Sequence, residues 1–290
     1  MLSSPLRFST SRGHPSVLAG LGALLIHAGA VSQAFAHGDL HDRIVEITAQ
    51  IARQPANADL IFKRAELNRQ HEDWPAALAD YAKVDAITPG LPGVHFGRGS
   101  ILLAQGKTAA AIAALDLGLA AAPENVEALA TRARAHVALG DVDAAVADYD
   151  RALSLAPRPE PDHYLERANA LAGAKPPRLD EAALGLEAAM TRLGAIPSLG
   201  LTLCDIEVRR GNFDAALALN DKLRARLKRQ ESWLERRGDI LLTAGRKAEG
   251  ADAIKEALAL VEALPAHVRH TKATGDLEAR LRVRVSELAK

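Results

Sequence analysis

Apolar and polar residues in this chain follow a helical period inside short stretches, and the stretches themselves recur every 34 residues. Pro89, Pro123 and Pro157 mark the longer period, each closing an alanine-rich amphipathic segment. Small residues hold one fixed place in each period: Ala65, Gly99, Ala133, Ala168, Cys204 and Gly238. A second small place follows twelve residues later at Ala77, Ala111, Ala145, Ala216 and Gly250, whereas the fourth period takes fifteen residues to reach Ala183. Antiparallel helices approach closely only where side chains are small, so paired small places at constant separation predict helical hairpins and locate their crossings.

Local signals agree with that division. In the third unit the first helix is predicted from about Val126 to Leu139. Gly140 ends it as a positive-φ residue, and Asp141 caps the next helix, which stops before Pro157. The first unit uses Asp73 as a cap with Pro75 in the opening turn, and the fifth uses Gly211 followed by Asn212. Before the first unit, His41 to Arg53 reads as an unpaired helix ending near Pro55. After the last, Gly275 to Ala289 carries Leu277, Leu281, Val285 and Leu288 as one apolar stripe. Such helices shield the open ends of a stacked array.

These residues resemble the tetratricopeptide repeat family, whose 34-residue unit has Gly or Ala in the first helix, Ala and an aromatic in the second, and a closing Pro. Ala133, Gly140, Ala145, Tyr149, Ala152 and Pro157 match most fully; Ala65, Ala77, Tyr81 and Pro89, then Gly99, Gly106, Ala111 and Pro123, follow. Units five and six keep Gly211 with Phe213 and Gly245 with Ala257 but lose the proline. The fourth has Glu187 in the aromatic place and an insertion around Pro176 and Pro177. The resemblance implies an all-α, right-handed α-solenoid of about six hairpins over residues 58–264. The units lie near 58–91, 92–125, 126–160, 161–196, 197–230 and 231–264, with a capping helix in 37–57 and another in 265–290.

It further implies a non-enzymatic scaffold that holds a protein or peptide on a concave surface made by the first helices. By matching position that surface would display Phe62, Glu66, Arg69, Phe96, Ser100, Leu103, Arg134, Leu165, Asn169 and Asp205, with Ala130, Leu201, Glu235 and Asp239 along the same rows. The mixture is apolar in the middle and charged at the ends, which suits a hydrophobic segment flanked by opposite charges. The Lys and Asn pattern with which some relatives clamp the acidic tails of cytosolic chaperones is missing except for Asn169.

Composition narrows the chemistry. Lys plus Arg equals Asp plus Glu at 36 each, so no global field draws the chain to nucleic acid or an anionic membrane. Gly106-Lys107-Thr108 looks like the end of a phosphate loop, but Ile101 occupies the earlier glycine place and no strand precedes it. Metalloprotease, paired-cysteine and nucleophile-elbow motifs do not occur, and no cofactor is implied. His267 and His270 read as a surface pair. Cys204, the single cysteine, sits in a crossing place and reads as a structural thiol. Arginine recurs just before the first small place, at Arg64, Arg98, Arg132, Arg167 and Arg237, with Leu203 the exception. Asp80 and Asp148 stand opposite two of these, favouring a structural pair for Arg64 and Arg132. Arg98, Arg167 and Arg237 lack that Asp and are equally open to ligand binding.

Residues 1–36 pose a separate problem. Arg7 and Arg12 precede an apolar stretch from about Val17 to Val31, and Ala34 and Ala36 supply the small residues read by a signal peptidase. Cleavage is expected after Ala36, with export to the periplasm or beyond and no stable membrane insertion afterwards. His37 would then begin the mature chain. Its α-amine and imidazole, with His41 nearby, offer a Cu(II) chelate and an alternative reading as a metal or small-ligand carrier.

Overall fold

The computed structural model describes residues 29–289, with side chains from residue 39 onward. Every regular element among them is a helix, and the chain divides into two compact units after Pro89. In the first unit α1 (Gly29–Arg53) lies against α2 (Ala58–Gln70), which pairs with α3 (Trp74–Ile87). The second unit holds five hairpins: α4 (Pro92–Ala104) with α5 (Thr108–Ala121), α6 (Val126–Leu139) with α7 (Val142–Leu155), α8 (Pro161–Gly173) with α9 (Leu179–Leu193), α10 (Pro197–Arg210) with α11 (Phe213–Arg224), and α12 (Glu231–Thr243) with α13 (Lys247–Glu262). A short turn of helix α14 (Ala266–Arg269) leads to α15 (Lys272–Leu288), which packs on α13. The second helices α5, α7, α9 and α11 each touch both their own partner and the next first helix, which is the stacking of an all-α solenoid.

Capping chemistry sets the ends of these helices. Asn57, Asp73, Asn125 and Asp141 each accept a hydrogen bond from a backbone N–H three residues on, satisfying donors that the first turn leaves without partners. Gly140 ends α6 at φ 80°, as expected. Asn212 behaves differently: its Nδ2 donates 2.8 Å to Glu207 Oε2, so it does not cap α11. The first hairpin turn holds Glu72 at φ 63°, where Gly106 and Gly140 stand in the hairpins that follow.

The small places are the helix crossings. Ala65, Ala77, Ala111, Ala133, Ala145, Cys204 and Ala216 are fully buried. At Gly99 a β-carbon would lie 2.6 Å from Leu115 Cγ, so a larger residue fits only if the Leu115 side chain or α5 shifts. The fourth hairpin corrects the sequence reading by one residue. Ala182 and Ala183 are both buried, but the side chain filling the aromatic place is Leu186, fully buried, while Glu187 faces solvent. Leu186 follows Ala182 by four residues, as Tyr149 follows Ala145, so Ala182 is the crossing residue.

At the N-terminal side, α1 is already helical at Gly29, the first described residue, well before His41, and Leu40, Ile44, Ile47 and Ile51 form its half-buried stripe. The apolar leader with Arg7 and Arg12 and the side chain of His37 lie outside the described residues. In α15, Leu277 and Leu281 are buried against Ile254, Ala257 and Val261, Val285 is partly covered, and Leu288 is exposed.

Candidate partner-binding face

In the second unit the first helices follow one another, α4 touching α6, α6 touching α8 and α8 touching α10, so residues at equal places form rows. One row is Phe96, Ala130, Leu165 and Leu201. Phe96 lies on Gly118, where a β-carbon would come 2.3 Å from its ring, so much of its face is committed to packing on α5. Ala130 is buried, Leu165 packs partly against the Leu171–Leu186 cluster, and Leu201 is half-buried. The next row is Ser100, Arg134, Asn169, Asp205 and Asp239. Ser100 Oγ donates 3.0 Å to Phe96 O, and Leu103, one turn on, is half-buried. Asn169 is exposed, and its amide makes no hydrogen bond among the described residues.

The charged members of the row are engaged within the protein. Arg134 Nε donates 3.0 Å to both carboxylate oxygens of Glu166 on α8, and its Nη1 donates 3.1 Å to Glu127. Asp205 accepts from Arg236 of α12, and Asp239 from Arg284 of α15. Arg280 reaches Glu235 at 3.2 Å. The charged ends expected to meet a partner's opposite charges instead tie adjacent first helices together. Arg209, which sequence reasoning missed, donates 2.6 Å to the carbonyl of Ala172 at the end of α8. It follows no period and left no signal in the repeat.

The recurring arginines face the other way, toward the second helices. Arg64 Nε and Nη2 close on Asp80 at 2.7 and 2.8 Å, and Arg132 closes likewise on Asp148. Arg132 Nη1 also takes Asp116 of the preceding hairpin at 2.5 Å. Arg167 binds Asp150 of the preceding hairpin and Glu181 of its own, and Arg237 binds Asp221 of the preceding one. Asp116, Asp150 and Asp221 stand at equal places in their helices, so these arginines join neighbouring hairpins. The Asp148 hydrogen bond, with Asp116 adding, holds the Arg132 guanidinium above its ordinary pKa.

In the first unit, Phe62 tilts against Tyr81 with ring centroids 6.1 Å apart. Glu66 accepts from Arg69 at 2.8 Å and from the Tyr81 hydroxyl. Burial first, then the Glu66 carboxylate, push the Tyr81 phenol far above its usual range. All three predicted residues of this unit therefore belong to a network with their own hairpin.

Among the described residues no three His, Cys, Asp or Glu side chains converge as metal ligands, and no helix is long and apolar enough to cross a membrane. His41 is exposed on α1. Cys204 is fully buried, and its Sγ donates 3.3 Å to Ala216 O. Burial raises its thiol pKa.

Two family models described as tetratricopeptide repeat match residues 102–165 and 201–281. No curated protein matches. Among solved structures, a tetratricopeptide repeat protein from Parabacteroides merdae ATCC 43184 is similar at 19% identity and a TM-score of 0.52, covering 87% of this chain and 95% of its own. PilW, a widely conserved type IV pilus biogenesis factor, is similar at 20% identity and 0.57, covering 67% and 89%. YrrB, with an unusual peptide-binding site, is similar at 20% identity and 0.50, covering 61% and 90%. At these identities the likeness concerns the fold.

Proposed function

The chain belongs to the tetratricopeptide repeat family, and from that premise we propose that it is a non-enzymatic scaffold holding a peptide segment of a protein partner along the first helices of its second unit. The observation that carries this reading is Asn169: an exposed amide without a partner among the described residues, in the row beside half-buried Leu165 and Leu201. An extended peptide presents backbone N–H and C=O groups, and an Asn side chain offers both a donor and an acceptor to meet them. Because Arg134, Asp205 and Asp239 are closed off by internal ion pairs, the favoured segment is apolar and weakly charged. YrrB, of similar fold, has a peptide-binding site, which supports the class of ligand.

Selection of a displayed peptide library on the wild-type chain, followed by binding to Asn169→Ala and Leu201→Glu, tests the proposal. Selected peptides should lose affinity several-fold on Asn169→Ala and more on Leu201→Glu. Unchanged affinity in both variants, with helical content intact, refutes it.

Export is part of the same proposal and is supported by the sequence: Arg7 and Arg12, the apolar stretch, and Ala34 and Ala36 before His37. N-terminal sequencing of the mature protein checks it. His37 as first residue in the periplasmic or secreted fraction is the expected result, and an intact Met1 in the cytosol the opposing one.

A further inference from the structure

The fourth hairpin departs from the repeat at three places, Leu184, Gly185 and Ala188, and these line, with Arg192, one cleft of ≈ 360 Å³ between α7 and α9. With Ala182 as the crossing residue, Leu184 stands where Ala79, Ala113, Ala147 and Ala218 stand in other hairpins. Gly185 replaces Asp80 and Asp148, Ala188 replaces Lys83, Arg151 and Lys222, and Arg192 stands where the fifth hairpin has Arg226 and others have Leu155 and Leu260. A buried carboxylate and a long exposed side chain are thus absent, an apolar side chain stands on the surface 66% exposed, and Arg192 supplies a cation at the rim.

The Arg167 guanidinium lies over Gly185, where a β-carbon would come 2.9 Å from its Nη1, and bridges Asp150 on α7 to Glu181 on α9. Glu181 is also held by Arg178, so this wall is electrically closed. Arg192 is not. It donates to the carbonyls of Leu153 and Ala156 at 3.2 and 3.1 Å and to the Tyr164 hydroxyl at 3.4 Å, all uncharged acceptors. A cation at the C-terminal end of α7 is favoured by the helix carbonyls, which accounts for its position. It leaves Nε without an acceptor among the described residues. In Arg64, Arg132, Arg167, Arg246 and Arg269 the edge formed by Nε and Nη2 closes on a carboxylate of the protein. The Tyr164 hydroxyl accepts from Arg192 and keeps its own proton to donate.

We propose that this cleft binds a small monocarboxylate with an apolar body. The carboxylate takes the Nε and Nη2 edge of Arg192, and the body lies on Leu184, Leu153 and Ala188. Arg167 and Arg178 are already held by Asp150 and Glu181, so the cleft offers no second open cation, which favours monoanions.

The probe is 4-phenylbutyrate, titrated into the full-length chain and followed through backbone amide shifts. Residues 184–192 should respond, 4-phenylbutyramide should bind at least about tenfold more weakly, and Arg192→Gln should lose about tenfold or more. Arg192→Gln also removes bonds to the end of α7, so its thermal unfolding is compared with wild type. Leu184→Glu changes an exposed side chain and carries the test independently, by placing a like charge in the cleft. Absence of shifts at millimolar 4-phenylbutyrate, equal binding of the amide, or unchanged affinity in Leu184→Glu each overturns the proposal.

Discussion

Gly238 and Gly250 meet where α12 crosses α13, so closely that a β-carbon on either would lie 3.1 Å from the carbonyl oxygen of the other. The same carbon on Gly238 would meet Ile254 Cδ1 at 2.6 Å. A flexible isoleucine can yield, but two backbones cannot part without disturbing the hairpin. Gly238→Ala should destabilise the protein by about 1–3 kcal/mol, read from the urea midpoint, and Gly238→Val by more. A neutral Gly238→Ala would mean that the crossing is looser than its geometry.

Glu72 holds a left-handed conformation that its equivalents leave to glycine. For a residue with a β-carbon this costs roughly 1–2 kcal/mol, part of which glycine returns as lost chain entropy. Glu72→Gly should raise stability by about 1 kcal/mol in thermal or urea unfolding. The exposure of Glu72 makes the lost side-chain contacts minor.

The two kinds of arginine bridge should behave differently on substitution. Arg132→Met leaves Asp148, 9% exposed, without its bidentate partner and should cost about 3 kcal/mol. Arg246→Met removes a contact to Asp214, 95% exposed, and should change stability by less than about 1 kcal/mol, shrinking further in salt. A denaturation series at low and high ionic strength separates them.

Acid should loosen the packing of α15. The Arg269 hydrogen bond holds the Glu278 carboxyl below its ordinary pKa. A depressed carboxyl contributes stability that is complete above its unfolded-state pKa and is lost as pH falls through the folded-state value. The window therefore lies below the usual glutamate range. Hydrogen exchange in α15 should accelerate there, and Glu278→Gln should remove the pH dependence of that segment.

Cys204 should resist thiol reagents in the native state. Burial raises its pKa and its sulfur lies under α11, so labelling should proceed at the rate of unfolding and rise steeply with urea. Fast labelling in native buffer would show that α10 and α11 open locally.

Much of the fold was legible because its determinants are local. Asn57, Asp73, Asn125 and Asp141 cap helices through contacts three residues away, and the small places act within one hairpin. The candidate face was harder to read. Phe96, Ser100 and Leu165 fall in the expected rows, yet nothing in the period says that Phe96 rests on Gly118 or that Arg134 is taken by Glu166. The fourth hairpin was misread by one residue because Ala182 and Ala183 are both small, and only burial of Leu186 decides between them.

By itself the sequence determined the helical class, the hairpin spacing and the positions where backbones cross, because side-chain volume and capping act over short stretches of chain. Tertiary structure alone decided which carboxylate each arginine takes, that Asn169 keeps its amide unengaged among the described residues, and that Leu184, Gly185, Ala188 and Arg192 border one cleft. Those outcomes depend on long side chains choosing among acceptors brought near by stacking, and repeat spacing does not encode that choice.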